Sequence, residues 1–407
     1  MSIRAASSTP DDDKPIFALA PSAPRSPVGE LAAYYLQMQP HLFEDAVDSQ
    51  FKILQEAKEA QQQQQEQQNG GGAVAALSSM DLTLNKRMAE VRRVEQMIAV
   101  EDLLYICILE RFQRIGVDLL PRVEPIQESA TTLKALTEGV HSMEAIQLVK
   151  EHILSVLGPA AMALPDTLIK MSKLQAAQVY AASTMFGYFL RKVDSRFQLA
   201  KSLGVLPESP EDAVHRLEKL FSMADDMERS GDPDTASNSK EGDNNGTASS
   251  SSSSSPPSSS SSSSLTQKPK SALRQYVETF DQTVLQEMAR LVTVEGSALI
   301  ERQTKALFGN VKQLQQEMQK AVGQDATSMD ELMQRVQQAV GDGSVSSVTI
   351  SVGTQRRLVL EAVAYGCFLR DVEGDVDGRY GGLLTPVSSV SEGDGSGGGG
   401  SGVGAGF

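Results

Sequence analysis

Apolar residues recur at three- and four-residue spacing along most of the chain, the period of a helix buried on one face. Leu31, Tyr34 and Tyr35 begin one such face from near Val28, and Pro40 interrupts it. Leu42, Phe43, Ala46, Val47, Phe51 and Leu54 predict a second helix from about Pro40 to Glu59. The longest helix is expected from about Met80 to Ile115, with Leu84, Met88, Val91, Ile98, Tyr105, Ile108 and Phe112 on its apolar stripe. Its stretch Leu103–Leu109 is wholly apolar, which predicts burial all round. Ser142 is placed to cap a helix Met143–Leu157 that stops at Gly158-Pro159. Ser172 with Gln175 forms the capping box of a helix Lys173–Ser202. Later patterns predict helices at Leu273–Phe280, Val284–Val292, Val294–Phe308 and Ser351 to about Asp377, with an inserted helical hairpin at 311–341. The expected fold class is mainly all-α.

Low-complexity tracts divide this pattern. Residues 1–27 read as a disordered N-terminal segment, residues 28–206 as a first helical copy and residues 271–384 as a second. A Gln/Gly-rich insertion occupies 56–79, an acidic and Ser-rich linker 207–270, and a Gly/Ser-rich tail 385–407. The linker opens with a short helical pattern around Val214–Met227. Residues 61–79, 230–268 and 388–407 are expected to lack regular structure, because their composition cannot bury enough apolar surface to offset ordering entropy.

Two windows recur in order. Met143-Glu144…Leu148…Leu157-Gly158 aligns with Val294-Glu295…Leu299…Phe308-Gly309, and Phe186–Asp194 aligns with Tyr365–Glu373. Met171-Ser172 matches Ile350-Ser351 at the helix starts, and Leu31…Tyr34 resembles Leu273…Tyr276 more weakly. Such a long period suggests a domain duplication rather than a solenoid. Gly187 and Gly366 fall at the same place in the second window. A glycine inside a helix costs about 1 kcal/mol relative to alanine, and close crossing of two backbones would offset that cost. This predicts two copies paired about a pseudo-twofold axis with the glycines at the crossing. The alternative is that each glycine packs separately within its own half.

The formal net charge of −15 opposes nucleic acid as a main partner, since that affinity comes largely from Lys and Arg. No apolar run approaches the roughly 20 residues that span a bilayer, so no membrane insertion is expected. Cys107 and Cys367 sit in apolar stretches without metal or disulfide spacing, and the four histidines lack ligand spacing. No P-loop, GxSxG, HExxH or strand-linked GxGxxG is present, and no cofactor is expected. The weak candidates for a metal site are Asp371, Glu373, Asp375 and Asp377, but the calcium-loop template fails at Leu384, where a bidentate Glu is required. Arg191, Asp194 and Arg196, with Arg370, Glu373 and Arg379, form charged sets after the paired glycines and are expected to make ion pairs between the copies. A polar pocket for a small anionic ligand between the copies is the alternative.

Several strings resemble the plant UV-B-induced chloroplast protein family, defined by a domain of unknown function also found in cyanobacteria. They are Ser26-Pro27-Val28-Gly29, Gln178–Ser183 with Gly187–Leu190, Val193–Phe197, Ala306–Gly309 and Arg357–Val363. The resemblance covers roughly residues 26–206 and 271–381; the Gln, Ser and 311–341 insertions depart from the land-plant pattern. It implies a nucleus-encoded protein of the chloroplast stroma, associated with stress, with no active site to transfer. Met1–Ser8, with Arg4 and no acid, resembles the tail of a transit peptide. The function expected is non-enzymatic: contact with protein partners in stress acclimation or protein turnover. The alternatives are a small-ligand or pigment-binding helical protein and, more weakly, a metal-dependent enzyme using the 371–377 carboxylates.

Overall fold

The computed structural model describes residues 20–69, 79–124, 129–159, 164–206, 218, 221–222, 271–323 and 329–387. Its order begins α1 (Pro27–Met38), a 3-10 turn (Pro40–Leu42), α2 (Phe43–Asn69), α3 (Ser79–Arg114), α4 (Ala130–Glu138) and α5 (Met143–Leu157). Then come β1 (Leu168–Ser172), α6 (Lys173–Ser202), α7 (Ala272–Glu278), α8 (Gln282–Ala289) and α9 (Val294–Phe308). The chain continues through α10 (Val311–Val322), α11 (Met329–Gly341), β2 (Ser347–Ser351) and α12 (Val352–Arg379). Among the described residues the fold is all-α apart from one two-stranded sheet.

Local signals set most boundaries. The Ser142 hydroxyl accepts from Ala145 N at 3.1 Å and starts α5; the Ser172 hydroxyl accepts from Gln175 N at 3.1 Å at the head of α6. Gly158 and Gly309 end α5 and α9 at φ +75° and +96°, a region that favours glycine. The hairpin at 311–341 forms as α10 and α11.

Three expectations change. α2 does not stop at Glu59 but runs through the Gln tract to Asn69, because Gln, Glu and Ala are good helix formers and extend a helix already nucleated on Phe43, Val47 and Phe51. Residues 70–78 of that tract, the 230–268 segment and the 388–407 tail lie outside the described residues. Second, β1 and β2 have no counterpart in the expected pattern. Ser347–Ser351 alternates polar and apolar residues but over five positions only, Leu168–Ser172 does not alternate cleanly, and both run directly into a helix cap. Third, the two windows do not belong to separate domains. The described residues of Met1–Arg196 and Thr279–Phe407 form one compact unit that holds both. A second unit spans Phe197–Glu278, where the rings of Phe197 and Tyr276 lie 5.5 Å apart.

The core of the first unit draws on both windows. Ala176, Ala177 and Tyr180 of α6 pack with Phe308, Ile350, Leu358 and Ala362. Leu103, Leu104, Ile108 and Phe112 of α3 are fully buried, as the apolar run required. β1 and β2 pair antiparallel, with Leu168 opposite Ser351 and Ser172 opposite Ser347. The flanking bonds Lys173 N to Ser346 O (2.8 Å) and Val352 N to Thr167 O (2.9 Å) extend that pairing symmetrically.

Candidate functional site

The α6–α12 seam joins the two windows through backbone. A Cβ at Gly187 would stand 2.0 Å from the Val363 carbonyl oxygen, and one at Gly366 would stand 2.0 Å from the Thr184 carbonyl oxygen. The separations are equal, 366 − 187 = 363 − 184 = 179, so each glycine meets the counterpart of the residue that the other meets. Strand pairing follows the same offset, 347 − 168 = 351 − 172 = 179. Thr184 and Ser183 are fully buried here, on the face of smaller residues beside Gly187.

A second pair of contacts repeats around the seam. The cap residue Ser142 donates its hydroxyl to Asp194 Oδ1 at 2.9 Å, and the cap residue Thr293 donates its hydroxyl to Glu373 Oε1. Asp194 and Glu373 are again 179 residues apart, and Ser142 and Thr293 are 151 apart, the offset of the first window. Each carboxylate faces the positive end of a helix, where backbone N–H groups favour negative charge. Glu373 also accepts from the buried Tyr188 hydroxyl at 2.6 Å; burial pushes its carboxyl above the usual range, opposed by the Thr293 and Tyr188 hydrogen bonds. With the same offset of 151, α4 (Ala130–Glu138) falls on 281–289, where α8 (Gln282–Ala289) lies.

α1 is anchored by the same chemistry. Ser26 N and Oγ donate to Asp102 Oδ2 at 2.6 and 2.7 Å, and Arg302 of α9 donates to Asp102 Oδ1 at 2.6 Å. Asp102 is fully buried. Its role is absent from the sequence pattern, since Glu101-Asp102 reads as two polar residues before an apolar run. Glu361 is also fully buried, accepting from Leu120 N at 3.2 and 3.3 Å, and desolvation lifts its carboxyl from 4.5 to about 8.

The charged residues singled out above have separate partners. Arg191 crosses the seam to Asp371 Oδ1 at 2.6 Å, and Asp194 accepts from the Ser142 hydroxyl at 2.9 Å. Arg196 lies over the Phe280 ring at 5.3 Å. Arg379 reaches Asp48 of α2 at 3.1 Å, a pair between the 271–384 and 28–206 segments. Arg370 stands 3.6 Å from Glu373 and 5.9 Å from the centre of the Tyr188 ring. The acidic run does not converge, because alternate residues on a helix point to opposite sides. Asp371 and Asp375 share Arg111, Glu373 is buried on the other side, and Asp377 is exposed. Among the described residues no group of three or more His, Cys, Asp or Glu could hold a metal ion.

The seam floor beside Tyr180, Phe308 and Leu358 is tightly filled, and the cleft there holds only about 10 Å³. The exposed apolar surface lies elsewhere. Leu84, Met88 and Val91, on the expected apolar stripe of α3, are 57%, 45% and 56% exposed, and Val94 beside them is 45% exposed. The three-four rhythm correctly predicted a stripe, but periodicity does not say whether a partner surface exists within the chain.

The family model described as protein of unknown function (DUF760) matches residues 54–203. An Arabidopsis thaliana protein named UV-B-induced protein At3g17800, chloroplastic, is 30% identical over 391 residues, covering 93% of this chain and 82% of that protein. No solved structure matches the chain. No helix among the described residues is long and apolar enough to cross a membrane. With that likeness running through both windows and the seam that joins them, the chain belongs to the DUF760 family of proteins of unknown function.

Proposed function

We propose that this is a stromal plastid protein of stress acclimation in which a duplicated helical unit, closed about a pseudo-twofold seam, forms a rigid base for a protein-binding arm. The equal offsets at the glycines, the strands and the capping carboxylates support the duplication. The name of the Arabidopsis relative supports the compartment and the link to stress. One observation carries the binding role: the N-terminal half of α3 exposes Leu84, Met88 and Val91 on one face, with Val94 at its edge. Scattered exposed apolar residues need no explanation, but a continuous stripe on one helix face suits helix-in-groove recognition. Arg87 and Arg92 flank the stripe, so the fitting partner offers an apolar helix or groove with acidic margins.

Photo-crosslinking from position 88 in intact plastids tests this reading. A discrete adduct that disappears in the Leu84→Glu/Val91→Glu variant, with the fold intact by circular dichroism, is the expected result. Adducts of unchanged pattern in that variant would refute the arm as the binding surface.

A further inference from the structure

The two windows are equivalent in position but not in charge, and the difference falls at one place. Arg191 is neutralised across the seam by Asp371. With the offset of 179, the counterpart of Arg191 is Arg370 and the counterpart of Asp371 is residue 192. A symmetric pair would need an acid at 192; the residue there is Lys192. The first position therefore holds a closed ion pair, and its counterpart holds two cations.

Those cations share an open groove of about 350 Å³, lined by Lys192, Ser195, Met288, Arg370, Asp371 and Asp375. The Lys192 ammonium and the Arg370 guanidinium stand 5.8 and 5.9 Å from the centre of the same Tyr188 ring. Lys192 Nζ donates to the Glu287 and Arg290 carbonyls at 2.9 and 3.2 Å, which leaves one of its three donors over. Among the described residues, Arg370 has no hydrogen bond: its 3.6 Å ion pair to Glu373 is beyond hydrogen-bonding distance. Its plane lies by the Tyr188 ring, so its N–H donors are open to an oxyanion. The two carboxylates in the groove are already occupied: Asp371 takes Arg191 and Arg111, and Asp375 takes Arg111. Desolvation and then the Arg370 charge hold Lys192 below the ordinary lysine value, as burial beside a like charge requires.

We propose that this groove binds a phosphate group, which takes the place of the carboxylate that residue 192 does not supply. The guanidinium fork of Arg370 suits two oxygens of a tetrahedral oxyanion, and Lys192 adds a point charge. Ser195, exposed at the rim, offers a hydroxyl to a third oxygen. The groove is open on one side, so the phosphate can belong to a small phosphorylated metabolite. The proposal is independent of the arm on α3.

The test uses the full chain in chloride buffer, titrated with inorganic phosphate at constant ionic strength and followed by calorimetry and thermal melting. Saturable 1:1 binding is expected, with the melting temperature rising by about 3 °C at ten times Kd. Arg370→Gln should weaken phosphate at least tenfold while remaining folded, and Lys192→Asp should abolish the response by completing the ion pair. Absence of saturable binding to the natural chain would overturn the proposal. So would equal phosphate affinity in Arg370→Gln, which also separates specific binding from general stabilisation by phosphate. If Lys192→Asp fails to fold, Arg370→Gln decides alone.

Discussion

The α6–α12 seam and the free half of α3 both belong to long helices with an apolar face, yet they are held in opposite ways. In the seam the chain brings carbonyl oxygens against glycines, and buried carboxylates take hydroxyls from helix caps. Along α3 the same helical rhythm carries Leu84, Met88 and Val91 into solvent. A side chain in the seam cannot change without disturbing backbone. One on the arm can change freely as far as the fold is concerned. The contrast separates residues that maintain the structure from residues whose apolar side chains the fold does not use.

The largest effect is expected where backbone meets backbone. Gly187→Leu should destabilise the fold by about 3 kcal/mol or more, because neither helix can move without breaking the strand pair and caps beside it. Its urea midpoint should fall sharply, and a midpoint within error of the natural chain would remove the seam's structural importance. Next, Arg302→Met leaves Asp102 buried without its cation. Losing one partner of a buried pair costs about 3–5 kcal/mol, and the release of Ser22 and Ala23 from Arg302 should show as faster amide exchange at α1.

A pH profile sharpens the comparison further. Glu361 titrates near 4.5 in an unfolded chain and at about 8 in the fold. Between those values the folded state holds a proton that the unfolded state has released, so this group's contribution to stability falls as pH rises from about 4.5 to 8. Glu361→Gln should flatten that limb when urea midpoints at pH 5.5 and 8.5 are compared. An unchanged slope would place the titration elsewhere.

Two smaller effects complete the series. Gly374 lies on the same helix as Gly366, but a Cβ added there would meet nothing within 4 Å. Gly374→Ala should therefore stabilise by about 0.5–1 kcal/mol, the reverse of Gly366→Ala, as melting temperatures will show. Leu84→Gln with Val91→Gln should leave stability within about 0.5 kcal/mol while removing the arm's adducts. A large loss of stability there would mean the stripe is packed after all.

Helix positions were legible because their signals are local: Ser142, Ser172, Gly158 and Gly309 act through neighbours three or four residues away. The seam was legible for a different reason. Gly187 and Gly366 each bear a helix penalty at matching places, and only a close approach offsets a penalty that recurs. Other features were hidden because their partners are distant in sequence. Asp102 meets Arg302 across 200 residues, and Glu361 meets Leu120 across 241. Nothing near either acid marks it as buried. Arg379 and Asp48 likewise pair across 331 residues, with nothing local to name the partner.

By itself, then, the sequence determined the helices, their caps and stops, the recurrence of two windows and the cost that the paired glycines carry, all consequences of backbone chemistry within a few residues. Tertiary structure alone decided that both windows share one compact unit, that two short strands tie them, and which charges are closed pairs and which stand open. It also decided that the stripe on α3 faces solvent. Periodicity records which side of a helix is apolar, but burial depends on whether another surface arrives to cover it.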